Sequence, residues 1–229
     1  LPICKISHHS TFNYDLSPLL PIILLLILEG LLLGMINPAP LGQGIFNVLS
    51  GFLTWLFQLY AVILIVTSLS PSYVSNPIIT FLFKVSEPLV KITNKFLVFH
   101  SNGWRFLSLF VLIVLYILLQ SLVAFLVSLG SEFGIAVFGF FAIQSLIHLI
   151  GLTTFFTILI IIGALMSWFS PDPYNPLVQF ISIVTFPLLA PIQRIMPNLG
   201  GIDLSPIVAI FILQIINSLG TSLVNSLML

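Results

Sequence analysis

Along this chain the apolar residues gather into long runs instead of alternating with polar ones. A helix rising 1.5 Å per residue needs about 20 mostly apolar residues to cross a hydrocarbon layer some 30 Å thick. Four stretches meet that requirement: Ile45 to Ser70, Trp104 to Gly130, Leu146 to Phe169 and Leu204 to Leu227. A weaker run, Pro18 to Ile36, carries Glu29 inside it, so it is a lesser candidate for an extra N-terminal hydrophobic helix. Gly134 to Ser145 is apolar as well. Joined to the third run it exceeds one crossing, which predicts a separate interfacial or partly inserted helix.

Two of the connections are not ordinary loops. Asn76 to Phe96 reads NPIITFLFKVSEPLVKITNKF, and Asn175 to Ile195 reads NPLVQFISIVTFPLLAPIQRI. Laid over each other without a gap they match Asn76 with Asn175, Pro77 with Pro176, Val85 with Val184 and Pro88 with Pro187, and they set Lys95 against Arg194. The runs before and after also correspond, which marks an internal duplication. Asn followed by Pro is a helix start: the amide oxygen caps free N–H groups, and Pro suits the first turn. In the first copy Leu82, Val85, Leu89, Ile92 and Phe96 recur at helical spacing, with Lys84, Glu87, Lys91 and Lys95 opposite. That pattern is an amphipathic helix lying in the headgroup plane. Pro88 is expected to kink or restart it, with Ser86 as the new cap. The second copy has Thr185 and Pro187 in those places and adds Pro191.

The predicted fold is therefore all-α and membrane-embedded. It consists of two tandem parallel repeats of transmembrane helix, interfacial amphipathic helix and transmembrane helix. Residues 1–42 form an N-terminal extension, 43–132 the first repeat and 133–229 the second. The chain opens on Leu1, and Met35 offers an alternative start that would make Leu1 to Gly34 an extension.

Composition agrees with this reading. Hydrophobic residues make up 59% of the chain and charged residues 5%, against roughly a quarter charged in soluble domains. Six basic and six acidic residues cancel, leaving no surface for a polyanion, so direct nucleic-acid binding is set aside. The basic residues are sided. Lys84, Lys91, Lys95 and Arg105 follow the first strong run, and Arg194 follows the third. Both connections then share one face, the cytoplasmic one by the positive-inside rule. Lys5 falls on that face if the N-terminal run spans, and Glu132 lies opposite.

The second copy contains SWFSPDPYNPLVQF and then PLLAPIQRIMPNLGGIDLSP. These segments resemble the YggT family, also called YlmG, which has plastid relatives. The likeness rests on Asn175, Pro176, Pro187, Pro191, Arg194, Gly200, Gly201 and Asp203, and it extends from about Ile45 to the C-terminus. The first copy departs from it, with Ile92 in place of Pro191 and Lys95 in place of Arg194. The resemblance implies a non-enzymatic membrane factor without a cofactor, connected with assembly or maintenance of membrane complexes, division or nucleoid distribution, and osmotic tolerance. It also implies a bacterial cytoplasmic (inner) membrane, or a plastid membrane, where one relative takes part in haem attachment to a b-type cytochrome.

Asp203, Ser205 and Pro206 read first as a helix start. Arg105 and Arg194 read as headgroup anchors. Arg105 occupies, to within one residue, the place in the first copy that Asp203 holds in the second, so the two are expected to approach and pair. His148 reads as an interhelix hydrogen bonder ahead of a haem or metal ligand, while His8 and His9 have no partner at metal spacing. Trp104 and Trp168 fit an aromatic belt, and Trp55, deeper in its run, is expected to pack. Gly130 with Gly134 gives a weak small-residue spacing. No zinc-protease helix, nucleophile elbow, phosphate loop or dinucleotide fingerprint is present.

The expected partners are the lipid bilayer, other membrane proteins and, as an option, further copies of the chain. The basic-side platform would be Lys84, Lys91, Lys95, Arg105, Arg194 and Asp203. A third reading, an intramembrane enzyme or haem-handling protein, would require a second ligand within reach of His148, and the main alternative is a small channel or carrier. It requires Gln120, Gln144, His148, Gln214 and Asn217 to converge instead of scattering.

Overall fold

The computed structural model describes residues 41–71, 76–96, 104–127, 134–169, 172–195 and 203–227. They form seven helices: α1 (Leu41–Leu69), α2 (Pro77–Phe96), α3 (Trp104–Val127), α4 (Ile135–Gly151), α5 (Thr153–Trp168), α6 (Pro176–Gln193) and α7 (Ser205–Ser226). There is no strand among the described residues. The chain forms two compact units, Leu1–Leu49 and Ser50–Leu229. Of the first, only the opening turns of α1 are described.

Among the described residues five helical segments can, by length and composition, cross a membrane: Phe46–Leu69, Leu107–Val127, Ile135–Trp168, Pro176–Gln193 and Ser205–Ser226. Three of these coincide with predicted spans. The third run, joined to Gly134–Ser145, does not divide where the sequence suggested. Helix continues through Ser145 and Leu146, and the interruption comes at Leu152. Leu152 keeps helical dihedrals, φ −64° and ψ −17°, and its N–H bonds Leu149 O at 3.1 Å. One tightened turn thus joins α4 to α5 without reversing the chain. The 34-residue run is about 51 Å long at 1.5 Å per residue, well beyond the hydrocarbon thickness.

In Ser50–Leu229, α1 is the shared wall. Phe57, Ala61 and Leu64 pack with Leu89 of α2, Leu112 and Tyr116 of α3, and Leu152. One turn further on, Val66 packs with Phe156 and Leu159 of α5 and Val184 of α6. α4 packs on both α3 and α7, and α5 on both α6 and α7. Burial from lipid brings no hydrophobic gain, so close approach and hydrogen bonds carry these contacts. Gly163 lets α6 come near enough that a Cβ would meet Ile181 Cγ2 at 3.3 Å, and at Gly220 a Cβ would meet Ile150 Cδ1 at 3.1 Å. Gly134 has nothing within 4 Å of its Cβ direction, so it makes no small-residue packing contact, and Gly130 lies outside the described residues. Large apolar side chains such as Phe110, Leu126 and Phe211 point outward, as a lipid-facing surface requires.

Two further expectations are corrected. Trp55 does not pack inward: it is 54% exposed and faces away from its neighbours. Pro88 does not restart α2, which runs unbroken from Pro77 to Phe96. Ser86 donates to Phe83 O at 2.9 Å and so does not cap, while Tyr60 of α1 donates its hydroxyl to Val85 O at 2.8 Å. The Tyr60 bond adds a donor to a carbonyl in the turn preceding the proline, where the helix backbone is weakest. The buried face of α2 is Ile79, Ser86, Leu89 and Thr93; Ile92 is exposed.

Candidate functional site

The two Asn-Pro helix starts, a hundred residues apart, meet. Asn76 is fully buried. Its Oδ1 accepts from the N–H groups of Ile78 (2.9 Å) and Ile79 (3.2 Å), capping α2. Its Nδ2 donates to Pro176 O at 2.9 Å and to Gln179 Oε1 at 3.4 Å, reaching the first turn of α6. Asn175, exposed, caps its own helix through Leu177 N–H at 2.9 Å, and Gln179 turns back to Pro173 O at 3.0 Å. The contact is asymmetric: one asparagine caps and clamps, while the other only caps.

At the far end of α6 a second polar joint forms. Gln193 donates to Asp203 Oδ2 at 2.8 Å, and Asp203 Oδ1 accepts the Ser205 N–H at 2.8 Å. Asp203 stands one residue before the N-cap Leu204; its carboxylate holds the first N–H of α7 and ties that helix to α6. The nearby Ser205 hydroxyl, although outside hydrogen-bond geometry, its N–H and the Gln193 amide together hold the Asp203 carboxyl below its ordinary value, with partial burial opposing them. Arg194 is exposed. The Arg105 side chain lies outside the described residues, as do Gly200 and Gly201 and the N-terminal Glu29, His8 and His9, so the expected Arg105–Asp203 pair lies outside them too. Pro187 and Pro191 sit inside α6, where Thr185 donates to Ile181 O at 2.8 Å.

α2 carries Lys84, Lys91 and Lys95 on its exposed side. At 100° per residue these three fall within about 40° of arc, opposite the buried face. Lys91 pairs with Glu87 at 2.9 Å, both exposed, a pair worth at most about 1 kcal/mol. Among the described residues Lys84, Lys95 and Arg194 have no carboxylate partner.

Within the spans, Gln120 and His148 converge on one network. Gln120, fully buried, donates to Ser50 O at 3.0 Å and Thr54 Oγ1 at 3.2 Å. Thr54 Oγ1 lies 3.2 Å from the Tyr116 hydroxyl, and the Tyr116 ring stands edge-on to His148 at 6.1 Å. Gln58 Nε2 approaches His148 Nδ1 at 3.4 Å, the interhelix bond expected of that histidine. Asn217 belongs elsewhere, donating to Thr153 Oγ1 at 2.9 Å, and Gln214 is exposed. Among the described residues no three His, Cys, Asp or Glu side chains come together.

Sequence reasoning missed Asn76, Gln179, Gln193 and Tyr60 as site residues. Asn76 alone had a signal, its match to Asn175. The partners of the other three come from distant or facing elements that no spacing announces.

An all-helical bundle with lipid-facing apolar sides and polar joints at its helix ends defines a polytopic membrane protein. Residues 142–224 match the CCB3/YggT family model. An uncharacterized protein in the proC 3′ region of Vibrio alginolyticus is 32% identical over 178 residues, covering 76% of this chain and 93% of that protein. An uncharacterized protein of Pseudomonas aeruginosa is 33% identical over 149 residues, 63% of this chain and 72% of its own length. The uncharacterized protein YggT of Escherichia coli strain K12 is 39% identical over 72 residues, 31% of this chain and 37% of that protein. No solved structure matches. The chain belongs to the CCB3/YggT family.

Proposed function

We propose that this protein is a non-enzymatic factor of a bacterial cytoplasmic membrane that helps to assemble or hold membrane protein complexes. Its working surface would be the basic side. The observation that carries the reading is the set of exposed cations Lys84, Lys95 and Arg194, without carboxylate partners among the described residues, on two helices whose starts are clamped by Asn76. Charges on a braced surface present a fixed pattern to a partner, with less ordering lost on contact. The tandem-repeat arrangement belongs to the same reading. It is supported by the meeting of the two Asn-Pro starts and by the packing of α1 with α5. It treats both α2 and α6 as interfacial helices on the cytoplasmic side.

The test is a mild-detergent pull-down of the tagged chain beside a Lys84→Gln, Lys95→Gln, Arg194→Gln variant. Asp203 is left intact because it joins α6 to α7. Membrane proteins that copurify with the wild type and disappear in an equally abundant, equally stable variant support the reading. Partners retained by the variant, or no partners at all, overturn it.

A second reading, a small channel or carrier, draws on the polar track of Ser50, Thr54, Tyr116, Gln120 and His148, which is the kind of convergence a pathway needs. Solute flux in proteoliposomes, lost on Gln120→Leu, is its signature, and impermeable vesicles would rule it out.

A further inference from the structure

α7 carries polar side chains on the wrong side for a helix that meets only lipid. Gln214, Ser218, Ser222 and Asn225 are all exposed. Their spacings of four, four and three residues keep them within about 80° of arc at 100° per residue. The inward side of the helix is occupied differently: Gly220 approaches Ile150, and Asn217 bonds Thr153. Gln214 is the tenth residue of the 22 in α7, near the middle of a segment long and apolar enough to span. Among the described residues neither Gln214 nor Asn225 has a side-chain hydrogen-bond partner. In water that would mean nothing. In hydrocarbon a carboxamide without a partner is strongly disfavoured, because no solvent stands in for the missing bonds.

We propose that this stripe is the interface with a second copy of the chain, packed α7 against α7 about a two-fold axis along the membrane normal. The chemistry of the stripe selects that occupant. Two copies insert with the same orientation, so a two-fold axis parallel to the normal sets each residue of the stripe opposite itself. Self-pairing requires donor and acceptor on the same side chain. Carboxamides and hydroxyls have both, whereas a charged stripe would repel its own image. Ser218 and Ser222, small and one turn apart at the centre, allow the two backbones to approach within reach of such bonds. The inference is independent of complex assembly and of solute passage: the dimer can form whether or not either holds.

Cys4 is the sole cysteine of the chain, so Cys4→Ser yields a clean background for disulfide mapping in native membranes. Ser218→Cys and Ser222→Cys are then oxidised beside Leu223→Cys. Leu223 is 68% exposed at nearly the same depth but about 100° round the helix from Ser222. The expected result is a disulfide-linked dimer at both serine positions and little at Leu223. Adding Gln214→Leu should weaken dimerisation about three- to thirtyfold, the range of one interhelical hydrogen bond in a bilayer. No dimer at either serine position, with the protein present in the membrane, overturns the proposal. So does equal cross-linking at all three positions, which signals collision. A cross-link to a different protein, or serine-position cysteines closed to maleimide without dimer, also overturns it. Those two outcomes assign the stripe to another membrane protein or to residues 1–40.

Discussion

Replacing Asn76 with Ala removes two things at once, and the structure allows each to be weighed. The first is the cap on α2, two N–H groups at 2.9 and 3.2 Å, for which about 1 kcal/mol is usual. The second is the bond to Pro176 O at 2.9 Å. Interhelical hydrogen bonds in membranes average about 0.6 kcal/mol and reach about 1.7. Because Asn76 is fully buried, water cannot replace either set, so the expected loss is about 2–3 kcal/mol. Asn175→Ala is the internal control. It removes a single capping bond from an exposed residue that water can reach, with an expected loss of about 0.5–1 kcal/mol. Asn76→Ser separates the two contributions, since its hydroxyl keeps a capping acceptor for α2 but is too short to reach Pro176. Reversible unfolding in mixed micelles, followed by tryptophan fluorescence, gives the three values side by side. If Asn76→Ala is no more damaging than Asn175→Ala, the cross-helix clamp contributes nothing and the reasoning fails.

Three further outcomes follow from the packing and the joints. Gly220→Ala should destabilise by about 1 kcal/mol or more by crowding Ile150, and Ile150→Ala should relieve it; a double-mutant cycle showing no coupling would contradict the close approach at 3.1 Å. Tyr60→Phe should cost about 1 kcal/mol by taking the hydroxyl from Val85 O beside Pro88, and hydrogen exchange should rise locally in α2. The Asp203 carboxyl titrates lower in the fold than its free value of 3.8. Its contribution to the α6–α7 joint is therefore complete above that value and is lost as pH falls through the lower folded one. Proteolysis of the joint by an acid-active protease should speed up on acidification in the wild type and much less in Asp203→Asn.

What could be read from the chain was what local chemistry decides. The three clean spans, the outward side of α2 that carries its lysines and the capping by Asn175 each depend on residues within a few positions of one another, whereas the buried side of α2 shares only Leu89 with the apolar stripe expected for it. The failures came where distant groups override a local signal. Pro88 and Ser86 read as a restart because neither Tyr60 nor its distance from Val85 O is visible in a pattern. The division expected near Ser145 fell at Leu152, because an all-apolar run offers nothing that marks one turn from the next. Trp55 was expected inside on depth alone, but depth along a helix does not say which side a residue faces. Asn76 and Asn175 look equivalent in the overlay, and only the approach of α6 to α2 makes one of them a clamp.

That clamp also has a timing. Asn76 finds its capping partners two and three residues away, but Pro176 lies a hundred residues downstream. At roughly 5–20 residues per second of synthesis, the ribosome needs about 5–20 s to deliver it. Throughout that interval α2 has its start but not its closure, and the amide destined for Pro176 stands open. Chains stalled before Pro176 should therefore be distinguishable from finished ones by an accessible first helix start.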